Sequence, residues 1–230
     1  MGIRLPTIVG ASGFEYSEAP QKSPGWLALR IGRIGASELS RWMAVSKRDG
    51  KPLKARTDIE REIAFEKAFN ASFSKFVTGA MQAGIDNEDF VREQYSAQTK
   101  NEVETAGCFY SDHFIASPDG LIGLDGGLEI KWLQDTNWTE VVTSGKPLDE
   151  HYAQIQGNLY ASSRTWWDYV AANGNTGRFI VIRIERDEDM IAEIAESVKA
   201  VQDVAPLKAD GLYEFTDSAP VTTTNEKIWE

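Results

Sequence analysis

The chain has 230 residues, 42% of them hydrophobic and 26% charged, which describes a soluble globular chain of one domain, or one domain with a tail. A single cysteine (Cys108) and two histidines (His113 and His151) exclude an internal disulfide, a cysteine-based zinc site, an iron–sulfur cluster and a His-rich metal site, so any metal must be a hard ion held by carboxylates. A net charge of -11 argues against a nucleic-acid binder, but residues 22–67 carry 11 basic and 6 acidic side chains while residues 185–230 carry 4 and 12.

Residues 1–24 are punctuated by Gly, Ser and Pro and read as an extended lead-in with no cleavable apolar leader, so secretion is not expected. No apolar run reaches the roughly 18–20 residues that span a bilayer. Trp26, Leu29 and Arg30 begin a short helical pattern that Gly32 and Gly35 break, and Ser37 reads as the N-cap of a helix carrying Leu39, Trp42 and Met43. Residues 46–56 form a turn-rich basic loop. Helical spacing returns over 57–70 and again over 78–99, where Met81, Ile85, Val91 and Tyr95 make the apolar stripe.

From Phe109 the period shortens, and 109–110, 114–117, 121–124 and 128–132 read as strands. Asp125-Gly126-Gly127 predicts the hairpin turn between the last two. A helix follows at 150–162 with Tyr152, Ile155 and Leu159 on one stripe, then strands at 165–171 and 178–184 joined by a turn at 173–177. A helix over about 187–204 closes a domain of residues 1–204, and 205–230 reads as a tail without a clear period. This order implies an α/β domain, a mixed sheet flanked by helices.

The chemistry concentrates in Ser117-Pro118-Asp119-Gly120 and Leu128-Glu129-Ile130-Lys131. Alternation along a strand puts Glu129 and Lys131 on one side and Ile130 on the other. A hairpin brings Asp119 beside Glu129, and two adjacent carboxylates repel unless a cation sits between them. Lys131 could then deprotonate or polarise a water, or stabilise charge on a reacting phosphate. An exposed Glu–x–Lys pair beside a turn aspartate is the plainer alternative. Glu88 interrupts the stripe of Met81, Ile85, Val91 and Tyr95, so it either pairs or binds metal in the interior, or reaches water from the stripe's edge. Gln154 gains interest only from this company. Glycoside hydrolysis, the other use of paired carboxylates, needs one acid kept protonated, which a neighbouring lysine opposes.

These two segments resemble the signature of the PD-(D/E)XK nucleases. Further blocks run in the same order as in the phage lambda exonuclease and phage-type alkaline exonuclease (viral recombinase) family: Gly25 to Gly32 with Gly35-Ala36-Ser37-Glu38, Gly84 through Glu88 to Arg92, Tyr152 to Gln156, and Ile182 to Glu188. The resemblance implies a restriction-endonuclease-like core and a 5′→3′ exonuclease that degrades one strand of linear duplex DNA and leaves a 3′ single strand. It implies Mg²⁺, with Mn²⁺ as a substitute, held by Asp119, Glu129 and the Ile130 carbonyl with Glu88 assisting. It makes Lys131 the catalytic lysine and Gln154 a positioner of water or metal. It assigns the 5′-phosphate to Arg30 and Ser37, the DNA end to Arg48, and strand separation to Met81. Ser37 at a helix N-terminus would suit an anion on physical grounds as well.

The resemblance further implies a ring-shaped homotrimer around DNA, a single-strand annealing partner and a cytoplasmic setting in a bacterial host, without a membrane. Such a ring would reconcile an acidic exterior with a positive channel. The chain departs from the family at Trp132-Leu133, where Cys-Pro is frequent, and at His151, where lambda exonuclease has tyrosine. An endonuclease of the same fold and a non-catalytic DNA clamp are the alternatives. The phosphate pocket disfavours the first, and the full set of charged site residues disfavours the second.

Overall fold

The computed structural model describes residues 10–11, 13–74, 78–208 and 210–212, except for the side chains of Ala80 and Met81. Strand β1 (Glu15–Ser17) leads to helix α1 (Pro24–Arg30), whose N-cap Ser23 accepts from the Trp26 N–H, with Pro24 at the first helical position. Strand β2 (Ile34–Gly35) enters a 3₁₀ turn (Ala36–Glu38) and then helix α2 (Leu39–Met43). Ser37 is inside that turn and not an N-cap, which corrects the expectation from sequence. The Glu38 carboxylate instead accepts from the Gly35 N–H at 3.0 Å, since a charged acceptor binds an orphan amide more strongly than a hydroxyl does.

Helix α3 (Lys54–Phe69) starts earlier than its apolar spacing suggests, because Lys54–Asp58 and Arg56–Glu60 pair one turn apart at 2.6 and 3.0 Å. Helix α4 (Gly79–Thr99) precedes four short strands, β3 (Val103–Glu104), β4 (Cys108–Tyr110), β5 (Phe114–Ala116) and β6 (Gly120–Ile122). The long strand β7 (Gly126–Leu133) is followed by helices α5 (Asp135–Ser144) and α6 (Asp149–Ser162), strands β8 (Trp166–Asn173) and β9 (Phe179–Glu185), and helix α7 (Glu188–Lys199). Helix α5 was not legible in the sequence because only Val141 on it is buried, so it lacks an apolar stripe. With α6 it forms the crossover that the parallel pair of β7 and β8 needs.

Among the described residues the strands form two sheets, β1-β4-β5-β2 and β3-β6-β7-β8-β9. Both mix parallel and antiparallel pairs, with β2–β5 and β7–β8 parallel. Pro118 lies between β5 of one sheet and β6 of the other, where its missing N–H suits the break in the ladder. One face of β7 and β8 packs under α6, α7 and α2 through Trp167, Tyr169, Ile155 and Leu159. The other face packs Leu128, Ile130 and Val170 against Val91 and Tyr95 of α4. Ile85, expected on the same buried stripe, is 38% exposed, since the N-terminal half of α4 overhangs a cleft instead of the core.

The hairpin turn is Gly123-Leu124-Asp125, not Asp125-Gly126-Gly127. Gly123 takes the positive φ of 52°, and Gly126 and Gly127 belong to β7 because tryptophan rings lie on them. A Cβ on Gly126 would come within 2.2 Å of Trp166, and one on Gly127 within 2.3 Å of Trp167.

Buried Arg164 braces the same hairpin, donating from one guanidinium nitrogen to the carbonyls of Gly123 at 2.9 Å and Gly126 at 2.6 Å, with Ile122 at 3.4 Å. Arg164→Met, which keeps the stem and removes the donors, should cost about 3 kcal/mol and lower Tm by roughly 6–12 °C. A thermal melt within 2 °C of wild type, on the order of 1 kcal/mol or less, would contradict that role.

Beyond residue 204 the Leu207 N–H still donates to the Ala64 carbonyl on α3 at 2.9 Å, while most of the expected tail, 213–230, lies outside the described residues. No helix among the described residues is long and apolar enough to cross a membrane.

Candidate active site

Strand β6 stops pairing with β7 at the Gly120–Leu128 register, whereas β8 accompanies β7 on its other side as far as Leu133. The free edge of β7 opens a cleft of about 550 Å³. Asp119 stands where the strands part. Its N–H donates to the Leu128 carbonyl at 3.2 Å and its Oδ2 accepts from the Ile130 N–H at 2.6 Å, which ties the aspartate to the Glu129–Lys131 strand.

Glu129 and Lys131 project toward α6, and Ile130 is buried on the opposite face, as alternation requires. The Lys131 ammonium is 2.7 Å from Glu129 Oε1 and donates to Gln154 Oε1 at 2.9 Å. The Gln154 amide nitrogen donates to Glu129 Oε1 at 2.6 Å. Asn158, one turn further along α6, donates to Glu129 Oε2 at 3.0 Å. Glu129 is 1% exposed, so these groups replace its water.

The electrostatics of the cleft are strained toward a cation. Burial, then the charges of Glu129 and Glu88, push the Asp119 carboxyl well above the usual carboxylate range, against the smaller pull of Lys131 and the Ile130 N–H. Burial pulls the Lys131 pKa down, but Glu129 and then Asp119 together outweigh it, and its pKa is raised. His151 lines the cleft with Nδ1 at 2.8 Å from the Tyr169 hydroxyl, and burial together with Lys131 lowers its pKa to about 3, so the ring is neutral.

Glu88 is on the rim, its carboxylate bound by Arg92 one turn along α4. Arg92 also donates from Nε to the Asp119 carbonyl at 3.0 Å, coupling α4 to the turn before β6. Among the described residues no three His, Cys, Asp or Glu groups stand close enough to form a metal cage. The repulsion at Asp119, which Lys131 and the Ile130 N–H offset only in part, suits a hard cation such as Mg²⁺ beside the Asp119 and Glu129 carboxylates. That ion is ordinarily held by one or two carboxylates plus water and substrate oxygens.

Arg30 and Ser37 line the same cleft. The Arg30 guanidinium lies over the Trp26 ring at 4.7 Å, and the Trp26 indole N–H donates to Ser117 Oγ at 2.9 Å. Arg48 is elsewhere, at the tip of a turn closed by the Val45–Pro52 bridge, with its side chain 91% exposed. Met81 is on α4, but the expected contact of its side chain falls outside what is described. Trp132 lines the cleft and fits under Gly174, whose Cβ would come within 2.5 Å of the indole nitrogen.

Sequence reasoning gave no site role to Asn158, Arg92 or Trp26. Gln154 and Asn158, and likewise Glu88 and Arg92, are four apart on a helix and so share a face. That spacing was the available signal.

Residues 25–165 match the sequence profile of the YqaJ-like viral recombinase domain. An alkaline exonuclease (LHK-Exo) from Laribacter hongkongensis is 28% identical, with a TM-score of 0.70 over 79% of this chain and 91% of its own. Its complex with dAMP superposes equally well. A phage-related exonuclease from Haemophilus somnus 129PT shares the fold at 14% identity, with a TM-score of 0.56 over 75% of this chain and 92% of its own. No curated protein sequence matches the chain. The core is thus restriction-endonuclease-like, a mixed sheet flanked by helices.

Proposed function

Because the chain belongs to the YqaJ-like viral recombinase family, we propose that it is a Mg²⁺-dependent exonuclease that digests linear double-stranded DNA from 5′ to 3′. The product is a 3′ single strand for recombination by annealing. The observation that carries this reading is the convergence of Asp119, Glu129, Lys131 and Gln154 in one cleft with Arg30 and Ser37.

Asp119, Glu129 and the Ile130 carbonyl would hold the cation, with Glu88 assisting, and Mn²⁺ would substitute. Bound there, the cation would supply Lewis-acid charge to the phosphoryl group and the attacking water. Lys131, kept charged by its carboxylate neighbours, stabilises the negative charge that develops on the phosphate. Gln154 holds Lys131 and Glu129 in register by giving one hydrogen bond and taking another. Arg30, stiffened on Trp26, receives the terminal 5′-phosphate with Ser37. Ser37 is the second residue of the 3₁₀ turn and not its N-cap, so its hydroxyl contributes to that anion site as a side chain beside Arg30. Arg48 grips the duplex from the projecting turn, and Met81 separates the strands.

A homotrimeric ring of such chains, with the basic residues of 46–56 toward the DNA, would shield the duplex from the acidic exterior. The setting is the bacterial cytoplasm, alongside a single-strand annealing protein. Domain 1–204 carries the activity.

Digestion of linear duplexes with 5′-phosphate or 5′-hydroxyl ends, beside a closed circle, tests the proposal. Mg²⁺-dependent loss of the 5′-phosphorylated strand alone is expected. Cutting of closed circles favours the endonuclease, and no digestion of any substrate favours the clamp. Arg30→Ala should reduce the preference for phosphorylated ends about tenfold or more, the loss of one charge-assisted contact. An unchanged preference places the phosphate elsewhere.

A further inference from the structure

Asn158 is fully buried on α6, with its amide nitrogen on Glu129 Oε2 and its own Oδ1 without a partner. Among the described residues only one other buried side-chain atom, Trp167 Nε1, is left unpaired in this way. An orphaned buried acceptor costs folding energy, and an apolar side chain of the same shape would avoid it. What the amide provides in exchange is visible in its geometry. The terminal torsion of a glutamate is broad and roughly two-fold, so its own rotamer preference does not hold the carboxylate plane. Gln154 and Lys131 both engage Oε1, which leaves the carboxylate free to swing about that oxygen. Asn158 alone among these groups takes Oε2.

We propose that Asn158 is a positioning residue for the cation site, holding the Glu129 carboxylate at one rotation so that a divalent cation meets its oxygens already oriented. This inference rests on the metal-dependent reading given above. It extends that reading to a residue that touches neither substrate nor cation. Gln154 and Asn158 then act as two amides one helical turn apart, each fixing one oxygen of the same carboxylate. Outer partners of this kind typically govern metal affinity by ten- to a hundredfold.

The test is Mn²⁺ binding by the intact protein, followed through the electron paramagnetic resonance signal of free Mn²⁺, with a thermal melt in EDTA as the control. Asn158→Leu should weaken Mn²⁺ about tenfold or more. Tm should also fall, because Glu129 Oε2 is left buried without its donor, although the orphaned Asn158 oxygen disappears as well. Asn158→Ala leaves room for water to supply a replacement donor, so it should show a smaller loss and serves if the leucine variant does not fold. A folded variant with wild-type Mn²⁺ affinity overturns the proposal, whatever its Tm. If wild type itself binds no Mn²⁺, the metal-dependent reading falls and this inference with it. If wild type binds and both variants bind equally, only the role of Asn158 falls.

Discussion

Asp119→Asn should abolish nuclease activity and at the same time raise the melting temperature of the cation-free protein above pH 7. The loss follows from removing an anionic oxygen that holds the cation, an effect of several kcal/mol and so about a thousandfold or more in rate. The gain follows from the raised pKa of Asp119 in the folded chain, caused by burial and by Glu129 and Glu88. An acid whose pKa rises on folding contributes its stability below the unfolded value, near 3.8, and loses it as pH rises through the folded value. Above that window the ionised Asp119 opposes folding, and a neutral amide of the same shape does not. Asparagine can still accept from the Ile130 N–H, so the hairpin keeps its tie. Melts in EDTA should show the variant above wild type at pH 8, with the gap closing on acidification. Added Mg²⁺ should raise the Tm of wild type much more than that of the variant. Wild-type turnover by the variant, or a lower Tm than wild type in EDTA at pH 8, would contradict the account.

Lys131→Ala should slow the chemical step by about 10²–10³-fold with little change in duplex-end binding. An interaction made only in the transition state lowers kcat and kcat/KM together. Were the ammonium only a screen between Asp119 and Glu129, its removal would instead leave the rate nearly intact and tighten cation binding. Single-turnover rates at saturating Mg²⁺ separate these outcomes, and a near-normal rate excludes the transition-state role. Lys131→Arg keeps the charge but hardly gives up a proton. Wild-type rates in that variant would assign the role to charge alone and exclude general-base catalysis.

The reactive hairpin was legible because its information is local. Alternation along a strand settles which side Glu129, Ile130 and Lys131 face, whatever else the chain does. The carboxylate of Glu88 stood out for the same reason, against a stripe with helical spacing. Features set by distant partners stayed hidden. Gly126 and Gly127 look like turn residues until Trp166 and Trp167, some 40 residues later, are laid on them. Ser37 looks like a cap until Glu38 is seen to take the amide. Ile85 fits the apolar stripe of α4, but only half of that helix has a sheet beneath it. Asn158 is an ordinary helical amide in sequence and acquires meaning only when α6 returns across β7 to meet Glu129.

The two glycines under the tryptophan rings make β7 an indexed strand. With a side-chain period of two, a slip of one residue against β8 would send Ile130 and Trp132 toward α6 and turn Glu129 and Lys131 onto Val91 and Tyr95. Strand pairing alone resists such a slip weakly, since the backbone hydrogen bonds of any register are alike. Here each ring fits only over a residue without a Cβ, so a shift would drive Leu128 or Asp125 into an indole. The reaction centre is therefore set in phase from the far end of the strand, two residues before the first catalytic carboxylate on it. Insertions in the Gly123-Leu124-Asp125 turn should leave nuclease activity intact, whereas one added residue between Gly127 and Glu129 should silence it without unfolding the remainder of the sheet.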